Sequence, residues 1–560
     1  MKAPQDSALT SITDKGKIIV EPARAAKHPQ AFAAALAASA IAFFFGLGLL
    51  ALVGPDEPRY AEVAREMFAT GDYISPRLCG CLWFEKPVLL YWMSAASYHL
   101  FGVSEFAARV PSALAAMATL IFLYHVARRF ASHGLALAAA LVLATSGIFI
   151  AYARVAIPDM ALTATMSVAL LSGYASMCST GRARWGYWSL ASAAMGLAML
   201  AKGLVGIALV LAILVIYFAV RGHLRVIRWK ERLAAFAIFT AVAAVWYAPV
   251  TARHGWGFIE EFFIRHHFER YVANTFGHPQ PFYFFFVVAI AGVAPWTFFF
   301  MPAMARLRKL APQRSDEDAL LTFAWIWVAV PLIFFSFSGS KLPGYILPIF
   351  PALAIIIGRE VEQFCSGEKS RLLKASAWMT ALTLLAIGIS FPIYANSLSV
   401  DVSGWRLIPY SLPLALALIS AFLPSRGRLF MAGAASVVLS VVVATVVLLF
   451  PKLNDEKSLK ALSLQAAAAL RPGERIAFFI RKEFAPVFYA EGRVVCGIGD
   501  MDVFNALRED ILASALENES SLVVITNSNW RVGLESYPRF NTEFIGEQGE
   551  ALAFRVSLKR

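Results

Sequence analysis

Charge is scarce in this chain. Lysine, arginine, aspartate and glutamate make up 16% of its 560 residues, where a soluble globular domain carries about 25%. Hydrophobic residues make up 59% and the mean hydropathy is +0.63, so a water-soluble enzyme or binding module is excluded as a class. Strands of alternating polar and apolar residues are lacking as well. Stretches such as AALVLAT are apolar on every side, which argues against a membrane β-barrel. Cysteine is rare, five in all. Cys178 and Cys365 fall near expected cytoplasmic ends, Cys79 and Cys81 form a C-G-C in an external loop, and Cys496 lies in the C-terminal part. A bond between Cys79 and Cys81 would close a very small, strained ring, and neither that bond nor a thiolate metal site is the favoured reading. No internal repeat, no symmetry between two halves and almost no charge in the middle of an apolar run is found, which sets a transporter or lipid flippase behind other readings.

What is present is a series of apolar stretches about as long as a membrane crossing. Thirteen spans are expected, near 31–53, 105–128, 133–152, 159–178, 186–200, 202–221, 231–251, 281–304, 319–337, 343–362, 374–393, 407–424 and 429–450. The short segment 88–102, with Trp92, Tyr98 and His99, reads as interfacial or re-entrant. With that segment outside the count and the N-terminus in the cytoplasm, the basic clusters all fall in inner loops. They are Arg128 with Arg129, Arg182 with Arg184, Arg221 through Arg232, Arg306 through Arg314, Lys369 through Lys374, and Arg426 with Arg428. The formal charge of +13 is thus largely an orientation signal and not a nucleic-acid surface.

Residues 1–30 read as a cytoplasmic tail and not as a cleaved signal peptide. Residues 31–450 form the membrane domain, with external loops 54–104 and 252–280. Past residue 450 the apolar runs give way to short strand patterns, ERIAFFI, GRVVCGI and SLVVITN, then an amphipathic stretch at 500–517 and a terminal hairpin pattern. The segment 451–560 is therefore expected to be a small external α/β domain.

Four polar islands interrupt the membrane domain: GPDEPRYAE at 54–62, FEKP at 84–87, IPDM at 157–160 and SKLPGYILP at 340–348. The topology places all four on the external side, where ionisable groups at the lipid boundary mark function. Asp56, Glu57 and Asp159 are candidate catalytic carboxylates. Each follows a proline at a helix start, so capping that helix is the competing reading. Facing a sugar that leaves a phosphate, such carboxylates stabilise an oxocarbenium-like state, and one can serve as base towards a hydroxyl acceptor. A phosphate acceptor needs no base, and the acids would then orient the sugar. Asp56 is the leading candidate and Asp159 the second.

Arg59, Tyr60, Lys86, Lys202, Arg270, Lys341 and Tyr345 are candidates for the donor phosphate and the rest of the substrate, because cations suit an anionic leaving group. Snorkelling at the interface is the competing reading for each cation. Glu85 with His266 and His267 has the ligand types of a zinc site. Adjacent helical histidines point about 100° apart, and interfacial histidines bonded to backbone are favoured over a divalent metal. No nucleotide or organic cofactor is expected.

The first loop, DEPRYAEVAREMFATGDYISPRLCGCLWFEKPVLLYW, followed by ARVAIPDM and SGSKLPGYILPIFP, resembles the bacterial aminoarabinose transferases. These are GT-C glycosyltransferases related to the protein O-mannosyltransferases. The resemblance implies a polytopic α-helical fold with thirteen spans, external juxtamembrane helices and a periplasmic α/β domain. It implies an inner-membrane enzyme with a periplasmic site, an undecaprenyl phosphate donor carrying 4-amino-4-deoxy-L-arabinose, and a lipid A phosphate as acceptor. By motif position it assigns Asp56, Glu85, Lys86, Asp159, Lys341 and Tyr345 to the site, with Lys86 and Arg270 at the donor phosphate. The alternative within the class is another polyprenyl-phosphate-linked sugar delivered to protein or glycan. A monomer among membrane lipids is expected.

Overall fold

The computed structural model describes residues 29–222, 227–262, 280–308, 315–479, 484–495, 509–528, 534–535 and 537–559. Every expected span contains a helix or a bent pair of helices. The chain's helices begin, in order, with α1 (Pro29–Phe44), then α2 (Asp56–Thr70) and α3 (Leu89–Phe101) in the loop between the first two spans, then α4 (Glu105–Phe130), α5 (His133–Ala144), α6 (Gly147–Ala153), α7 (Pro158–Met177), α8 (Gly181–Lys202), α9 (Leu204–Val220) and α10 (Trp229–Ile259). Among the described residues seven helices are long and apolar enough to cross a membrane, or nine if each of two bent pairs is one span. Length and composition alone therefore do not reach thirteen. The helix α3 has 13 residues, about 20 Å of rise, too short for a hydrocarbon core of about 30 Å.

The first span departs from its expected extent. Helix α1 ends at Phe44, and residues 45–53 run on as turns and extended chain, with Gly46 at φ +61°. Backbone freed from a helix at membrane depth must find partners inside the protein. Arg154 donates to the carbonyls of Ala42 and Phe45 at 2.9 and 2.8 Å. The Asn454 side chain donates to Leu49 O at 2.7 Å and accepts from Ala51 N at 2.8 Å.

The membrane core mixes large aliphatic and aromatic side chains with small residues where helices approach closely. Helix α5 lies against the helix Phe350–Cys365, where a Cβ added at Gly358 would come 2.7 Å from both Cα and N of Ala139. Small residues let helix backbones approach where lipid gives no hydrophobic drive. Gly358→Leu is expected to destabilise the protein by about 1–3 kcal/mol through overpacking. Thermal unfolding in detergent reads the effect, and an unchanged midpoint would contradict the close approach.

Two short strands, β1 (Arg77–Leu78) and β2 (Cys81–Leu82), form a hairpin in the loop between α2 and α3. Cys79 at its turn is a free thiol and Cys81 is disulfide-bonded, so the strained bond between these two does not form. The C-terminal part holds β3 (Ile476–Phe478), β4 (Leu522–Asn527), β5 (Phe540–Gln548) and β6 (Ala551–Leu558) in the order β3-β4-β6-β5. The first pair is parallel and the other two antiparallel. ERIAFFI and SLVVITN are thus strands and the terminal hairpin pattern is β5 with β6, whereas the described part of GRVVCGI, 492–495, contributes a bridge from Ile476 to Val494. The expected helix is described over Glu509–Asn518. Leu522 through Thr526 are buried, as in a strand covered on both faces. One face meets Leu512 and Leu516. The other joins Leu462, Val487 and Phe488 to Tyr60, Ala61 and Ala64 of α2 in one apolar cluster.

Candidate active site

Local chain signals place each side chain. Gly54, at φ +70°, and Pro55 turn the chain into α2, so Asp56 and Glu57 sit in its first turn. Pro158 occupies the first turn of α7, with Asp159 beside it. Gly203 ends α8 and leaves Lys202 at its tip. Pro343 opens a 3-10 turn, Pro343–Ile349, that carries Gly344 and Tyr345. No side-chain hydrogen bond caps α2 or α7, so the helix-start role left to Asp56 and Asp159 is charge complementing the dipole of the first turn.

The four islands converge on one cavity of about 470 Å³. Asp56, Tyr60, Glu85, Lys86, Asp159, Lys202 and Tyr345 all line it. The rest of its wall is mostly apolar, with Leu162, Leu204, Val205, Phe334, Phe335 and Leu342 among its residues. On one side Lys86 Nζ donates to Glu85 Oε1 at 2.7 Å. Arg59 joins Asp56 in an ion pair and lies 3.5 Å from Glu85 Oε2. On the other side Lys202 Nζ donates to Asp159 Oδ1 at 2.6 Å and stands 5.0 Å from the centre of the Tyr345 ring. Three carboxylates thus meet three cations, so neither sign dominates and each acid keeps a positive neighbour.

The groups of α2 have shifted protonation. Burial opposes the Arg59 charge, but Glu85, Tyr60 and Asp56 together outweigh it and hold its pKa above the ordinary arginine value. Burial, with Glu85 and Asp56 nearby, raises the Tyr60 phenol well above its ordinary value. Tyr60 therefore stays protonated and can donate a hydrogen bond into the cavity.

Three expectations need correction. Glu57 is 2% exposed and does not line the cavity. Its carboxylate is taken up by the Arg109 guanidinium and by two backbone amides, which leaves it no catalytic contact. Arg59 does not line the cavity either. It lies behind Asp56 and Glu85, and also donates to Pro55 O at 2.8 Å. Lys341 is buried outside the lining, its Nζ donating to Ser338 O at 2.7 Å and Gln280 O at 3.0 Å. It holds a turn and does not face a phosphate.

Arg270, His266 and His267 lie outside the described residues. Among the described residues no group of three His, Cys, Asp or Glu side chains could hold a metal ion. Glu85, the one expected zinc ligand described, stands beside Lys86 and Arg59.

Sequence reasoning missed Tyr152, Ser338 and Gly344 in the wall. A Cβ at Gly344 would meet Asp159 Oδ1 at 2.7 Å, Tyr152 Cε1 at 2.7 Å and the Tyr152 hydroxyl at 2.9 Å. A side chain there would require Asp159 or Tyr152 to shift. The signal was its place within SKLPGYILP; Tyr152 had none, since it lies in an apolar run.

Residues 85–251 match the family model of dolichyl-phosphate-mannose-protein mannosyltransferases. An undecaprenyl phosphate-α-4-amino-4-deoxy-L-arabinose arabinosyl transferase from Aeromonas hydrophila is 31% identical over 358 residues, 63% of this chain and 64% of that protein. A protein of the same name from Erwinia tasmaniensis is 29% identical over 382 residues, 67% of this chain and 65% of that protein. The matched region is thus slightly under two thirds of either relative. The crystal structure of ArnT from Cupriavidus metallidurans bound to undecaprenyl phosphate superposes with a TM-score of 0.78 at 24% identity, covering 94% of this chain and 97% of that one. The chain therefore has the fold of that ArnT structure, together with sequence similarity to the aminoarabinose transferases over about two thirds of its length.

Proposed function

We propose that this chain is a glycosyltransferase that moves 4-amino-4-deoxy-L-arabinose from undecaprenyl phosphate to a phosphate of lipid A. The site would face the periplasm from the bacterial inner membrane. The observation that carries the reading is the pair of carboxylates, Asp56 and Asp159, each beside a cation in one largely apolar cavity. An apolar wall suits the first units of a polyprenyl chain, and the lysines suit its phosphate.

In the reaction an oxygen of the acceptor phosphate bonds to the sugar's C1, while the bond from C1 to the donor phosphate oxygen breaks. The electron pair leaves with undecaprenyl phosphate. Lys86 and Lys202 offset the charge that grows on the leaving group, and Tyr60 donates a hydrogen bond at the same wall. Asp56 and Asp159 stabilise positive charge at the sugar and orient its amine. No base is required, because the acceptor is already an anion.

The match to the protein mannosyltransferase family favours a second reading, another polyprenyl-phosphate-linked sugar passed to protein or glycan. Mass spectrometry of lipid A from a deletion strain separates the two. Loss of the aminoarabinose-modified species, under conditions in which the parent strain makes them, is expected. An unchanged lipid A pattern would sink the aminoarabinose reading.

A further inference from the structure

Arg109 is an ionisable residue within an apolar helix, α4, and is 2% exposed. Its guanidinium has five N–H groups, and five acceptors receive them. Nε donates to Glu57 Oε1 at 2.9 Å. Nη1 donates to Leu47 O at 3.0 Å and Leu50 O at 2.5 Å. Nη2 donates to Ala51 O at 2.9 Å and Glu57 Oε2 at 2.8 Å. Glu57 is filled in the same way, because Oε1 also accepts from Ala156 N at 2.8 Å and Oε2 from Val53 N at 3.3 Å. One buried ion pair therefore fastens three pieces of backbone: the unwound chain 47–53, the first turn of α2 and the loop before α7.

Those pieces carry two of the three carboxylates of the cavity, Asp56 and Asp159. Asp56 is the residue before Glu57, and Asp159 lies three residues beyond Ala156. The two acids come from segments about a hundred residues apart (|i−j| of 99 for the Ala156–Glu57 bond), and this bond joins them directly.

We propose that Glu57 and Arg109 are positioning residues that set the placement of Asp56 relative to Asp159. They touch no substrate, and they govern turnover through the geometry of the two acids. The proposal rests on the reading of Asp56 and Asp159 given above. Misplacement of a reacting group by about 1 Å costs about 100-fold in rate, so kcat is the quantity the pair controls.

The test uses the full-length protein in detergent, with undecaprenyl-phosphate-linked aminoarabinose as donor and lipid A as acceptor. Glu57→Gln removes the charge and leaves Arg109 buried without its counter-ion. Arg109→Lys keeps the charge beside Glu57 but replaces a five-donor fork by a three-donor point charge, so it is the variant better able to fold. For folded protein, confirmed by gel filtration and by undecaprenyl phosphate binding, kcat is expected to fall about 100-fold in Glu57→Gln and about 10-fold or more in Arg109→Lys. KM for the donor should move by less than about threefold in both. A folded Arg109→Lys protein with wild-type kcat overturns the proposal, and so does an effect confined to KM. Asp56→Asn is run alongside: if it retains full turnover, the reading of the site fails and the positioning role falls with it. If Asp56→Asn is inactive while both other variants turn over normally, only the positioning role is lost.

Discussion

Asp56→Asn protein is expected to accumulate and fold normally, yet to transfer sugar about 1,000-fold more slowly than the parent. The change keeps the shape of the side chain and removes only its charge. Little stability depends on that charge, because the Asp56 side chain is 45% exposed. Arg59, its partner, would still lie 3.5 Å from Glu85, donate to Pro55 O and rest 5.0 Å from the centre of the Phe484 ring. Positive charge develops at the sugar only as the bond to phosphate breaks, so the loss belongs in kcat and not in donor binding. Complementation of a deletion strain, with immunoblots for protein level and kcat from purified protein, measures it. Full activity at normal protein level would rule out Asp56 as a catalytic residue.

Gly344→Ala is the second variant expected to have a large effect, a fall in kcat of about 100-fold. Gly344 is not among the glycines with positive φ, so alanine meets no backbone strain there. The cost is spatial. The new methyl would stand 2.7 Å from Asp159 Oδ1 and from Tyr152 Cε1, closer than van der Waals contact allows. Asp159, held by Lys202, or Tyr152 must shift within the cavity wall. Thermal stability should change far less than turnover. Steady-state kinetics and a melting curve on the same preparation separate the two, and a wild-type kcat would show that the carboxylate yields without consequence.

Much of this arrangement was legible in the sequence, for identifiable reasons. The islands stand out because charge beside lipid is costly, and the prolines and glycines around Asp56 and Asp159 mark the helix starts that expose them. The membrane helices follow from apolar runs, and the terminal sheet from short strand patterns beyond residue 450. What the sequence hid were partnerships across long separations. Glu57 looked like a twin of Asp56, and only the arrival of Arg109, 52 residues on, turns it into a support. An arginine followed closely by Pro111 inside an apolar helix was a signal that could have been read. Lys341 was taken for a phosphate ligand because a lysine in a polar turn offers charge, but it satisfies carbonyls of Ser338 and Gln280. The end of the first span was misplaced for a related reason. Its unwound carbonyls are acceptable only because Arg109, Arg154 and Asn454 reach them, and none of those residues is local.

The support that Asn454 and Tyr489 give to this unwound chain bears on the order in which the site is completed. Asn454 holds Ala51 across a separation of 403 residues, and Tyr489 accepts from Leu52 N at 2.9 Å across 437. The Tyr489 hydroxyl also donates to Glu105, which Lys460 pairs with in turn. During synthesis the segment bearing Asp56 leaves the ribosome early and waits through most of translation for the residues that anchor it. A nascent chain stopped at residue 450 would hold all the described acids and lysines of the cavity without these clasps. The chain leading into the first turn of α2 is then fully anchored only once the segment from Asn454 to Tyr489 has been made.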